Sequence, residues 1–173
     1  MTPALSFGLL LLRVAFGLTV AAHGSQKLFG WFGGSRLEGF AGMLEKLGIR
    51  PSRGFALLAG LSEFGGGLLV ALGFLSPVGP LVVAGAMAVA IITVHLGKGF
   101  FNQGGGMEFP LLILLTMLTL SFTGPGPFSL DAASRLTLPE PSAWIVMAVL
   151  VAGGVATTLA SRRWAARRRL ELG

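Results

Sequence analysis

Apolar segments long enough to cross a bilayer recur along this chain, and no other feature restricts its fold as strongly. They cover residues 4–23, 54–74, 78–97, 108–123 and 142–161. A helix needs roughly 20 residues to cross ~30 Å of hydrocarbon, and the segment at 108–123 is the shortest. A soluble helical core of this size would need polar outer faces, which most of these segments lack. Charged residues make up 12% of the chain, about half the ~25% usual in a soluble domain. The expectation is an all-α integral membrane protein with five spans.

Punctuation between the segments is clear. Ser76-Pro77 and Gly79-Pro80 predict a tight turn, Gly124-Pro125-Gly126-Pro127 ends the fourth segment, and Pro139 and Pro141 precede the fifth. Pro110 suits a first helical turn, where no amide donor is needed. Ser35-Arg36-Leu37-Glu38 matches a capping box and Gly48 a helix stop. Leu37, Phe40, Ala41, Leu44 and Leu47 recur between them at helical spacing. This predicts a short amphipathic helix, lying either on the membrane surface or against the bundle. Residues 129–136 predict a second short helix.

The net charge of +6 is distributed unevenly. Lys27, Arg36, Lys46, Arg50 and Arg53 separate spans one and two, Lys98 follows span three, and Arg162, Arg163, Arg167, Arg168 and Arg169 form the tail. The other side has only Arg135. Five spans place every cation-rich segment on one face, which predicts an outer N-terminus and a cytoplasmic C-terminus. The basic residues therefore read as topology signals, with membrane lipid and not nucleic acid as their partner. The tail could also bind acidic lipid, with Trp164 at the interface. No cation precedes the first apolar run and Arg13 interrupts it, unlike a signal peptide. The chain has no cysteine, which excludes disulfides, thiol redox chemistry and cysteine-ligated zinc or iron–sulfur within it.

Ionisable groups at membrane depth are expensive and tend to mark sites. Arg13 lies roughly 13 Å below the outer end of span one and Glu63 roughly 16 Å below that of span two. Similar depths predict an Arg13–Glu63 pair, either purely structural or lining a ligand or proton site. His23 and Lys27 are one turn apart. His95, Lys98 and Asn102 share a face if the third helix continues past Gly97, and Gln103 and Glu108 follow across a glycine run. The candidate site is thus Arg13, His23, Lys27, Glu63, His95, Lys98, Asn102 and Glu108. Lys27 and Lys98 could instead snorkel to the interface. Residues 23–29 and 95–101 echo one another weakly, as in a parallel repeat. Gly60, Gly65, Gly66, Gly67 and Gly73 predict close helix packing beside Glu63. The histidines lack a zinc spacing, the glycine runs follow no strand, and no serine has the context of a nucleophile, so no metal and no catalytic residue is assigned.

These segments resemble the DoxX family of small membrane proteins. The likeness runs from Leu9 to Asp131, through HGSQKLFGWFGG, GFAGMLEKLGI, SEFGGGLLVALGF, VAIITVHLGKGFFNQGGGMEFPLLIL and TGPGPFSLD. It implies a four-helix membrane bundle over residues 1–131. Residues 132–173 then add an outer loop, a fifth membrane helix and a cytoplasmic Arg-rich tail. The family takes its name from a subunit of a thiosulfate:quinone oxidoreductase, and other relatives are linked to oxidative-stress complexes. The resemblance therefore implies a membrane subunit of a quinone-linked oxidoreductase system, with no intrinsic cofactor, a quinone as the bound group and a soluble or membrane redox partner. Arg13, His23, Lys27, Glu63, His95 and Glu108 fall on the family's polar positions. Met107 stands where the family has tyrosine, and the chain has no tyrosine, so a mechanism needing a phenol is excluded. The alternative is a non-catalytic membrane protein that binds or transports a small molecule or scaffolds a partner; the inner cations would favour an anionic ligand.

Overall fold

The structure, a computed structural model, describes residues 1–172, with side chains for 1–164. The predicted anchoring roles of Arg167, Arg168 and Arg169 lie outside the described side chains. Among the described residues seven α-helices follow in order: α1 Pro3–Leu28, α2 Arg36–Lys46, α3 Ser52–Leu72, α4 Val78–Ala90, α5 Glu108–Thr123, α6 Leu130–Ser134 and α7 Ser142–Leu172. α4 continues through one π-helical turn, Ile91–His95, and one 3-10 turn, Leu96–Lys98. No strand occurs among the described residues. Among the described residues four helices are long and apolar enough to cross a membrane: α1, α3, α4 through Lys98, and α7 as far as Trp164. α5 is a shorter apolar helix. The chain is a multi-pass membrane protein, a four-helix bundle (α1, α3, α4, α5) with α7 as a fifth helix.

The α1–α3 contact is the closest in the bundle. Gly17 and Gly24 of α1 face Gly67 and Phe64 of α3. A Cβ on Gly17 would lie 2.6 Å from the Ala71 amide nitrogen, and one on Gly67 would lie 2.6 Å from the Gly17 carbonyl oxygen. The two backbones therefore touch, as small residues permit between membrane helices. Of the glycines expected to pack, Gly60, Gly66 and Gly67 are buried, whereas a Cβ on Gly65 would enter open space. Gly73 ends α3 at φ 63° and is also closely packed, against Arg13 and Ser129. Beyond this contact, Val20, Val70, Val83, Met87, Ile113 and Met117 join α1, α3, α4 and α5 in one apolar core.

α2 packs on the bundle. Phe40, Ala41 and Leu44 bury against Ile49 and Ala56, which decides between the two placements its amphipathic pattern allowed. Gly48 stops it as expected, at φ 80°, with the Ile49 amide returning to the Leu44 carbonyl at 3.0 Å. The predicted capping box does not form. Arg36 is left-handed (φ 57°), Ser35 makes no side-chain cap bond, and Glu38 instead accepts from Arg53 at 3.2 Å on the surface. α4 begins at Val78, as the apolar segment predicted, with Gly79 and Pro80 in its first turn.

α6, capped by the Ser129 hydroxyl at 3.2 Å, holds the end of the bundle where α3 turns into α4. The Asp131 carboxylate accepts from the amides of Leu75 and Ser76, each at 2.9 Å, and its own amide donates to Gly73 O at 3.1 Å. α7 packs along α4, with Val151 against Gly85, and Trp144 Nε1 donates to Ser121 Oγ of α5 at 3.2 Å.

Glycine substitutions test the close contact. Gly17→Leu, forced against backbone, should lower unfolding stability in detergent by about 1–3 kcal/mol or more. Gly65→Ala, in open space within a helix, should raise it by about 0.5–1 kcal/mol. Thermal melts of both variants check the direction and the contrast.

Candidate functional site

The register of α1 on α3 decides which charges meet. Arg13 Nη1 donates to the Ala71 carbonyl in the last turn of α3 at 3.1 Å. The residues of α1 before Arg13, roughly 15 Å of helix, therefore run past the end of α3. Depth measured from the span ends assumes that those ends are level, and they are not. The expected Arg13–Glu63 pair is accordingly absent: Glu63 lies opposite the last turn of α1 and its Oε1 accepts from Lys27 Nζ. Arg13 serves the other end. It is buried and meets a helix C-terminal carbonyl.

Lys27, Glu63 and His95 line one cavity of about 510 Å³ between α2, α3, α4 and α7. Its volume falls within the ~300–1,000 Å³ of small-molecule sites, and most of the other lining side chains are aliphatic or Phe. The Lys27 ammonium also sits 5.0 Å from the centre of the Phe40 ring, an attraction to the ring face that strengthens away from water. Glu63 is 2% exposed, against 25% for the Lys27 side chain. Its Oε2 is buried with no hydrogen-bond partner among the described residues. Leu58 of α3 and Leu150 of α7 line the cavity yet are 53% and 63% exposed, so it opens sideways between two membrane-spanning helices.

His95 enters from the end of the π turn. One extra residue in a helical turn rotates the residues after it, and such bulges recur at functional sites. Its Nδ1 lies 2.7 Å from the Gly105 carbonyl. That carbonyl belongs to a loop closed by Met107 N to Gly99 O (3.1 Å), Glu108 N to Phe100 O (2.8 Å) and Asn102 N to the Glu108 carboxylate (3.0 Å). The Lys98 stem lies against Gly105. Lys98, Asn102 and Glu108 thus build the loop that holds His95 and are absent from the cavity lining.

The candidate residues separate accordingly. Lys27, Glu63 and His95 share the cavity. Asn102 does not share a face with His95, because the helix stops at Lys98 and Gly99 turns at φ 86°. His23 is exposed, with its ring tilted against Phe109 at 5.6 Å. Phe40 and the α7 wall (Val151, Val155, Thr158) were not anticipated. Nor was Asp131, although an acidic residue after Gly-Pro-Gly-Pro is visible in the sequence. The echo between residues 23–29 and 95–101 does not extend to contacts, since Lys27 meets Glu63 whereas Lys98 meets its own loop.

The family model for DoxX matches residues 8–96. Over 131 residues, 76% of this chain and 90% of the relative, the sequence is 34% identical to a Bacillus subtilis (strain 168) protein named "Putative oxidoreductase CatD". Over 119 residues, 66% of this chain and 89% of the relative, it is 33% identical to "Inner membrane protein YqjF" of Escherichia coli (strain K12). No solved structure matches. The chain belongs to the DoxX family.

A double-mutant cycle tests the pairing. Lys27→Met strands a buried carboxylate and should cost about 3 kcal/mol or more, with much of that recovered when Glu63→Gln is added. Arg13→Ala and Glu63→Gln should instead add to within about 0.5 kcal/mol. Unfolding in detergent measures both, and coupling between Arg13 and Glu63 would restore the rejected register.

Proposed function

We propose that the chain is a membrane subunit of a quinone-linked oxidoreductase system and holds a quinone-type ring in the cavity of Lys27, Glu63 and His95. One observation carries this reading: an apolar chamber opens sideways into the bilayer and has a few polar groups on its wall. A ligand entering that way is lipid-soluble. A ring with polar substituents fits such a wall, and an apolar tail fits the mouth beside Leu58 and Leu150. Lys27 would donate to a ring oxygen, Glu63 and His95 would border the ring, and Phe40 would flank the ammonium. The bound group supplies the electron chemistry, so electrons would come from a soluble or membrane partner. The name carried by the Bacillus relative points the same way.

Purified protein titrated with decylubiquinone should show saturable one-to-one binding by calorimetry. Val155→Trp, which fills the cavity from α7, should weaken it by at least about tenfold, or ~1.4 kcal/mol. Mass spectrometry of protein taken from native membranes should find quinone. A co-purifying anionic metabolite and no quinone binding would favour the second reading, a non-catalytic binding or transport protein.

The same proposal sets the N-terminus outside and the C-terminus in the cytoplasm, on the cation distribution. The chain lacks cysteine, so single cysteines at the exposed positions Thr137 and Gln103 can be compared directly. An impermeant maleimide added to intact cells should label Thr137→Cys and spare Gln103→Cys.

A further inference from the structure

We propose that the cavity selects the reduced, hydroxyl-bearing form of its ring ligand, with Glu63 Oε2 and His95 Nε2 as the accepting atoms. The inference rests on the quinone-type reading and deepens it by assigning a redox state and two contacts.

The hydrogen-bond inventory of the wall leads there. A carbonyl oxygen only accepts, so the 2.7 Å contact of His95 Nδ1 with Gly105 O requires the proton on Nδ1. In the neutral imidazole Nε2 is then an acceptor. Glu63 Oε1 is taken by Lys27, while Oε2 is buried and has no partner among the described residues. Lys27, Glu63 and His95, the residues that carry this ammonium and these two acceptors, line one cavity.

A quinone offers only acceptors. Its carbonyls could take the Lys27 proton, but Glu63 Oε2 would stay unpaired and meet further negative charge. The hydroxyls of a quinol donate to both acceptors, and their oxygens still accept from Lys27. A buried acceptor left unmade is costly, so the reduced form is the better fit. The loop of Lys98, Asn102 and Glu108 acts through this same contact: it holds the Gly105 carbonyl that keeps the proton on Nδ1.

Anaerobic calorimetry on the purified full chain, with duroquinol and duroquinone as probes, tests this. Duroquinol should bind roughly tenfold or more tightly, the factor expected of hydrogen bonds to a charged acceptor. His95→Asn keeps a side-chain N–H for Gly105 and removes Nε2. It should weaken duroquinol about tenfold and leave duroquinone within about twofold. In His23→Gln protein one histidine remains, and duroquinol, but not duroquinone, should move its Nε2 resonance in a 15N spectrum. Equal binding of the two probes, tighter duroquinone, or an unmoved Nε2 overturns the proposal while leaving a quinone-type site standing. If neither probe binds, the quinone-type reading fails with it.

Discussion

The backbone contact between α1 and α3 is the constraint on which the rest depends. Gly17 and Gly67 let the helices approach until a single Cβ would strike the opposite main chain. At that separation the helices have one register, because a slide would drive neighbouring side chains into backbone. The register places Lys27 against Glu63 and Arg13 against the end of α3. Both buried charges thereby find partners without meeting each other. Two polar contacts at opposite ends of one helix pair also oppose sliding more than a single central pair would. This is a use of buried polar groups that depends on specificity and not on net stabilisation.

How much of this is legible in the sequence depends on the range of each signal. Apolar runs report helices directly, so α3, α4, α5 and α7 begin within two residues of expectation. Gly48 and the Gly124–Pro127 run likewise mark their breaks, because a left-handed or amide-free residue acts locally. Helix register is a different kind of quantity. It depends on shape complementarity between Gly17, Gly24, Gly67 and Phe64, and only the α3 half of that surface stands out as a glycine cluster. Measuring depth from segment ends fails because α1 runs on to Leu28 and past α3 at its other end. His95, Lys27 and Glu63 are each visible as ionisable groups in apolar surroundings. That they share a cavity while His23 does not cannot be read without the register and the π turn.

The C-terminal helix changes what the family core can do. The family match ends at residue 96, yet Val151, Val155 and Thr158 of α7 form part of the cavity wall. Without α7, the face of α4 around Gly85 would meet lipid or another subunit. With it, this chain encloses a chamber while leaving a lateral mouth. Trp144, bonded to Ser121, ties the first turns of α7 to α5, so the wall is joined to the core at a second helix.

The electrostatics of the chamber follow from the same geometry. Lys27 reaches Glu63 from the end of α1, over Phe40, and is itself a quarter exposed. The ammonium therefore keeps some exposed surface while the carboxylate keeps almost none. Desolvation falls unequally on the pair, and the unpaired Oε2 becomes the strongest unmet hydrogen-bonding demand in the cavity. On the proposed reading, such a site would discriminate by what a ligand donates more than by its net charge, because Lys27 already neutralises Glu63. That argues against a simple anion site built on inner cations: Lys27 is committed to Glu63, Lys98 lies against the Gly105 loop, and Arg50 and Arg53 pair with Glu45 and Glu38 on the surface. Among the described residues that line the cavity, the one cation, Lys27, is thus already paired with a carboxylate.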